Sequence, residues 1–197
     1  MKKIYVFKVF ERFWHWSQAL LIITLLISGF EIHGSYNLLG FATATDIHEI
    51  CAWSLVGLWI FAIFWHIVTG EWRQYIPTLD RVNAIMNYYI LGILKKEVHH
   101  PYRVTRLHKH NPLQILAYIF ILLIVGPVIW LSGWFYILYE YWPIFGLENL
   151  SLKLVATAHL LGAYAMLLFL IVHIYLITTG HTLWAHLKAM ITGYDEA

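Results

Sequence analysis

Four stretches of this chain carry no Asp, Glu, Lys or Arg and are long enough to cross a bilayer. They lie between Arg12 and Glu31, between Glu49 and Glu71, between Lys109 and Glu140, and after Lys153, where strong apolarity lasts to about Thr179. Crossing a hydrocarbon core takes about 20 residues of helix at ~1.5 Å per residue. The runs are continuously apolar rather than alternating, which excludes barrel strands. Without water, such a run must satisfy its own backbone hydrogen bonds, and that means helix. The reading predicts an all-α integral membrane four-helix bundle, with spans at about 13–32, 48–69, 113–138 and 153–179 in a single membrane domain, 1–197. Composition agrees: 60% of residues are hydrophobic and 12% charged, against roughly 45–50% and 25% in a soluble domain. A water-soluble globular enzyme and a disordered chain are thereby excluded. A lone cysteine, Cys51, excludes a disulfide scaffold, and the absence of C-x-x-C-H excludes covalent c-type haem. The first apolar run is expected to be a retained helix. Trp14, His15 and Trp16 interrupt its start, and no A-x-A-like cleavage site follows Phe30.

Basic residues set the orientation. Lys2, Lys3, Lys8 and Arg12 precede the first span. Arg73, Arg81, Lys95, Lys96, Arg103, Arg106 and Lys109 lie between spans two and three, and Lys188 follows span four; only Lys153 is on the other side. The positive-inside rule then puts both termini and the 70–112 connection in the cytoplasm. Within that connection Leu79, Val82, Ile85, Met86, Tyr89, Ile90 and Ile93 recur at helical spacing, with Arg81 and Lys95 polar. This predicts an amphipathic helix on the inner membrane surface, followed by a polar loop that ends at Pro112.

Twelve histidines in so apolar a chain are the main functional signal. Six stand in or at the ends of spans: His15, His33, His48, His66, His159 and His173. An ionisable group inside a membrane marks function by default, although any one of these can also be a hydrogen-bonded polar side chain between helices. His159 and His173 are fourteen residues apart in span four. Steps of about 100° bring both rings to nearly one helix face, offset by ~21 Å. That geometry suits two haems, one in each leaflet, each iron needing a second axial ligand from a facing helix at matching depth. Depth pairs His48 with His159 at the outer haem and His15 with His173 at the inner haem. His66 lies eighteen residues after His48, an offset of ~27 Å that overshoots the span-four spacing by about one turn. His33 falls in the outer headgroup region. Both stay open as competing ligands or as interfacial histidines. His99, His100, His108, His110, His181 and His186 are expected to be solvated. Gly29, Gly57, Gly126 and Gly162 fit either haem space or close helix packing. Gly126-Pro127 is expected to bend span three, which carries no histidine and serves as a wall.

These residues form a known pattern. The chain resembles, over nearly its whole length, the di-haem cytochrome b subunits of the formate dehydrogenase gamma, nickel-iron hydrogenase and thiosulfate reductase type. The carriers are Arg12-Phe13-Trp14-His15-Trp16, Ser28-Gly29, His48, Trp65-His66-Ile67-Val68-Thr69-Gly70-Glu71-Trp72-Arg73, His110-Asn111-Pro112-Leu113-Gln114, His159 and His173. The resemblance implies two haem b groups, the outer bound from spans two and four and the inner from spans one and four. It also implies a menaquinone or ubiquinone near the inner haem, touched by an asparagine that Asn111 matches. Gln114, three residues on, shares that helical face. Asn111 reads equally as a cap ahead of Pro112 at the first helical position.

The expected function is a membrane anchor and electron-transfer subunit of a respiratory oxidoreductase complex in a bacterial or archaeal cytoplasmic membrane. It would link an extracytoplasmic iron-sulfur or multihaem subunit to the quinone pool. That partner would dock on the outer loops 33–47 and 139–152, where Tyr36, Tyr139, Tyr141 and Trp142 also fit an interfacial aromatic belt. One alternative is a stand-alone cytochrome b that passes quinol electrons to a small external acceptor. Another is a histidine-rich metal transporter, which would show no Soret band.

Overall fold

The computed structural model describes residues 3–92, 101, 102, 105, 108–180 and 182–196. Its described residues contain four helices long and apolar enough to cross a membrane: Val9–Ile32, Phe41–Thr69, Pro112–Ile137 and Leu152–Ile177. We label the helices α1 (Val9–Ile32), α2 (Phe41–Thr69), α3 (Val82–Asn87), α4 (Pro112–Phe120), α5 (Gly126–Ile137), α6 (Leu152–Ile177) and α7 (Ala185–Thr192). All four expected spans are present. Span two begins earlier than expected, because Phe41 to Ile47 already belong to the helix. The chain divides into two compact units, residues 1–112 with 176–197, and residues 113–175.

In the first unit α1 and α2 pack together along their length. Much of their apolar surface stays uncovered, including Leu20, Ile60, Phe61 and Phe64, as lipid-facing side chains should be. A buried carboxylate orders the link between them. Glu31 Oε1 accepts backbone N–H bonds from Leu38, Leu39 and Gly40 at 2.8, 2.6 and 2.8 Å. These donors precede α2 and have no intrahelical partner of their own. Gly40 takes φ +84°, which only glycine adopts without strain.

The termini meet in a small antiparallel sheet that the hydropathy pattern did not foretell. Strand β1 (Lys3–Tyr5) pairs with β2 (Tyr194–Glu196), with Lys3 opposite Glu196 and Tyr5 opposite Tyr194. Gly193, at φ +87°, turns the chain from α7 into β2. A Cβ there would lie 2.7 Å from the carbonyl oxygen of Phe7. Helix α7 is fastened to the start of α1: Arg12 Nη1 donates to the Ile191 carbonyl (2.5 Å) and Trp16 Nε1 to that of Met190 (3.2 Å).

The amphipathic helix begins at Val82, three residues after Leu79. Helix α3 continues into a π-turn at Tyr88–Gly92, and Ile93 and Lys95 lie outside the described residues. Ile85 is fully buried, while Leu79, Met86, Ile90 and Leu91 are exposed. Arg81, Asn83 and Asn87 are exposed among these apolar side chains.

In the second unit the third span is bent. A π-helical turn at Ile121–Val125 separates α4 from α5. Pro127 has no N–H to offer the preceding turn, and the wider turn accommodates the lost bond. Gly162 of α6 packs against α5 so closely that a Cβ would stand 2.5 Å from Ile129 Cγ1. Of the two roles open for Gly162, helix packing is the one observed.

Candidate functional site

Each unit carries half of the expected ligand set. His15 on α1 and His48 on α2 belong to the first, His159 and His173 on α6 to the second. Helix α6 runs unbroken from Leu152 to Ile177, so the same-face geometry of His159 and His173, and their ~21 Å offset, hold in the folded chain. His173 stacks on Phe169 one turn earlier, at 5.8 Å and 16°. The His15 ring meets Trp16 edge-on at 5.1 Å.

A neutral imidazole that binds iron through Nε2 must carry its proton on Nδ1. His159 meets that demand. Its Nδ1 lies 3.1 Å from the Ile129 carbonyl oxygen, and a carbonyl only accepts, so Nδ1 bears the hydrogen. Nδ1 also lies 2.9 Å from Ser132 Oγ. Ser132 donates its own single hydrogen to the Val128 carbonyl at 2.5 Å, leaving its oxygen as acceptor. His48 repeats the arrangement in the other unit. Its Nδ1 stands 3.0 Å from Ser28 Oγ, which donates to the Thr24 carbonyl at 2.8 Å. The Ile129 carbonyl contact leaves the His159 lone pair on Nε2, and two serine-seated imidazoles are a donor set that fits haem iron.

Glycine makes room for both rings. A Cβ on Gly29 would lie 3.1 Å from His48 Cε1, and one on Gly133 would lie 3.4 Å from His159 Cε1. Ser132-Gly133 is thus the counterpart of Ser28-Gly29, and sequence reasoning passed over it. Its signal was the repeated Ser-Gly pair inside an apolar span. Gly57 meets nothing within 4 Å.

The competing histidines differ from each other. His33 caps the end of α1 and is exposed. His66 donates from Nδ1 to the Ala62 carbonyl at 2.7 Å. Its ring sits against Trp14, Trp65 and Tyr75 at 5.0–5.5 Å. Its Nε2 is buried and has no hydrogen-bond partner among the described residues.

Beside this group lies a cluster of buried charge. The Lys109 ammonium donates to Glu11 Oε1 (2.7 Å) and Glu71 Oε2 (2.8 Å), and Lys8 pairs with Glu71 Oε1 at 2.6 Å. Burial pushes the Glu71 carboxyl up, but its bonds and charges with Lys109 and Lys8 outweigh that and hold it below the ordinary carboxylate value. The expectation of a solvated loop here is corrected in part. His108 is exposed, but Lys109 is buried. The His110 ring packs beside Tyr75 (5.4 Å) and Phe7 (6.5 Å). Burial, with the nearby Lys109 and His66, pushes its pKa down to about 4. Glu11 and Glu71 flank spans in the sequence, so nothing local marked them as partners of Lys109. His186 is exposed as expected, while His99, His100 and His181 lie outside the described residues.

Asn111 is buried, and its Nδ2 donates to Tyr89 Oη at 3.1 Å. Burial raises the Tyr89 pKa, against the lowering effect of the Asn111 bond. Pro112 opens α4, as expected. Gln114 belongs to the second unit and Asn111 to the first.

Comparison with known proteins adds to this geometry. Residues 6–193 match the family model of the prokaryotic cytochrome b561. The chain is 32% identical to the Escherichia coli (strain K12) protein named "Putative cytochrome YdhU", covering 99% of this chain and 76% of that one. No solved structure gives a significant match. The resemblance drawn from the motifs and this match agree: the chain belongs to the prokaryotic cytochrome b561 family, multi-pass membrane haem b proteins of electron transport.

Proposed function

We propose that this protein is a di-haem b anchor that carries electrons between an extracytoplasmic redox partner and the quinone pool. The observation that carries the reading is the matched seating of His48 and His159, each with Nδ1 within hydrogen-bond distance of a buried serine, together with the fourteen-residue spacing on unbroken α6. His48 and His159 would hold the outer haem, and His15 and His173 the inner one. Bound haem b would supply reversible one-electron chemistry. The chain's own work is to fix ring orientation, exclude water and keep the axial nitrogens neutral.

The quinone would bind beside the inner haem at Asn111, with Gln114 as a second polar contact. Tyr89, hydrogen-bonded to Asn111, fixes the amide that meets a quinone carbonyl. With both termini cytoplasmic, quinone reduction by electrons from outside would take up protons inside and build membrane potential. The partner, an iron-sulfur or multihaem subunit, would dock on the outer loops. Tyr139, Tyr141, Ile144 and Phe145 are exposed there around buried Trp142. Glu31 holds the 33–40 loop in one shape, which suits a docking surface.

The test is to purify the protein from its native membrane under mild detergent and add a reduced quinone analogue. Reduction of the b haems, with a redox subunit retained in stoichiometric amount, is the expected result. Haems that stay oxidised with every quinol tried would overturn the quinone role. A chain that purifies alone while fully quinol-reducible would favour the stand-alone cytochrome.

A further inference from the structure

We propose that Ser28-Gly29 and Ser132-Gly133 are a matched pair of seats that lock His48 and His159 in one tautomer and set the redox potential of the outer haem. This rests on the reading that these two histidines are its ligands. In each unit the seat stands on the helix preceding the ligand's own: α1 for His48 on α2, and α5 for His159 on α6. The serine engages Nδ1, at 3.0 Å in one unit and 2.9 Å in the other. The following glycine leaves room for Cε1, at 3.1 and 3.4 Å from the position of an added Cβ. Both serines are buried, at 1% and 5% exposure. Both donate their hydrogen to the carbonyl four residues earlier, Thr24 and Val128. A serine that donates to a helix carbonyl in this way presents its oxygen to the imidazole as an acceptor.

Two consequences follow. Each ring is oriented within its own unit, so the ligand nitrogens are set before any haem binds, which lowers the ordering cost of binding. The strength of the Nδ1–H bond also tunes the ligand. A hydrogen-bonded Nδ1–H makes Nε2 more basic, and a more basic axial nitrogen favours ferric over ferrous iron. A hydroxyl already polarised by donating to a helix carbonyl is a better acceptor than an isolated one. The two serines therefore hold the outer haem at a lower potential than unseated imidazoles would, and they act as positioning residues.

The experiment is a spectroelectrochemical titration of the purified holoprotein with Ser28→Ala, Ser132→Ala and the double variant, together with Ser28→Cys and Ser132→Cys. The outer haem is identified as the one lost in His48→Ala. We expect its midpoint to rise in each alanine variant, less in Ser132→Ala, where the Ile129 carbonyl still accepts from His159 Nδ1, and to rise further in the double variant. The cysteine variants should fall between serine and alanine, because sulfur is the weaker acceptor. The inner haem's midpoint should not move. Low-spin EPR g-values of the outer haem should shift in the same order. An unchanged outer midpoint with both haems present would overturn the seat. Equal shifts of both haems would also overturn it, as a general loosening of the fold. Haem loss in both the alanine and the cysteine variant of one site would assign that serine to packing alone. If instead His48→Ala or His159→Ala keeps both haems, the ligand reading itself fails, an outcome separate from all of these.

Discussion

Lys109 Nζ reaches Glu11 Oε1 at 2.7 Å across 98 residues of sequence, and the same ammonium bonds Glu71 at 2.8 Å. One buried cation thus ties the start of the first span, the exit of the second and the approach to the third. Its side chain is 4% exposed, against 10% and 14% for the two carboxylates. Removing it leaves Glu11 without a cation and Glu71 with only the half-exposed Lys8, in a poorly solvated site. Breaking a buried ion pair from one side costs about 3–5 kcal/mol. Lys109→Ala should therefore destabilise the folded chain by about that amount, read as a loss of thermal stability in detergent. Lys8→Ala, at the exposed end of the cluster, should cost under ~1 kcal/mol. Equal effects from the two would contradict this ranking.

His110, half-buried beside Tyr75 and Phe7, predicts acid lability. Its pKa falls from 6.5 to about 4 on folding, so the unfolded chain binds more protons between those values. Stability then rises with pH across this window: it is fully present above 6.5 and lost as pH falls toward 4. Glu71, held below its ordinary value, adds a loss in the same direction at lower pH. Chemical unfolding of wild type and His110→Gln from pH 7 to pH 4 checks this. The variant should show the shallower slope over the histidine window.

Gly162 offers a packing test in the other unit. An alanine methyl would sit 2.5 Å from Ile129 Cγ1, so either the isoleucine or the α5–α6 contact must give way. Overpacking of this kind costs about 1–3 kcal/mol. Gly162→Ala should lower stability by that much, and Ile129→Ala, which removes the clashing Cγ1, should relieve part of it. Gly57→Ala, where nothing lies within 4 Å of the new methyl, should be close to neutral.

Asn111→Ala separates the quinone site from a purely structural role. The proposal expects normal haem content with impaired quinol-linked turnover and weaker binding of a quinone analogue. Tyr89→Phe, which removes the hydroxyl that accepts from Asn111, should impair turnover in the same direction but less. Unchanged turnover and analogue affinity in Asn111→Ala would leave that residue as a helix cap.

Much of this architecture is written in the charge-free runs. A span must be apolar throughout, so Arg12, Glu31, Glu49 and Glu71 bracket the charge-free parts of α1 and α2 almost by necessity. Fixed helical geometry likewise made the His159–His173 relationship legible. What escaped was tertiary. The pairing of Lys3–Tyr5 with Tyr194–Glu196 depends on two chain ends meeting, and three residues have no periodicity to read. Lys109 looked like a solvated loop cation because its partners lie far away in sequence. Ser132-Gly133 was invisible as a histidine seat because span three holds no histidine, and its meaning appears only when α6 packs beside it. The early start of α2 was missed because Asp46 and Glu49 mark where charge begins, and the helix extends beyond that point.

The central claim is that four named histidines hold two non-covalent b haems, and a pyridine haemochrome assay on purified wild type and single-histidine variants tests it most directly. The account predicts about two haem b per chain in the wild type. His48→Ala and His159→Ala should each lose the same haem, and His15→Ala and His173→Ala should each lose the other. His33→Ala and His66→Ala should keep both. One haem in the wild type, any c-type signal, or loss of a haem in His66→Ala with full retention in His15→Ala would contradict it.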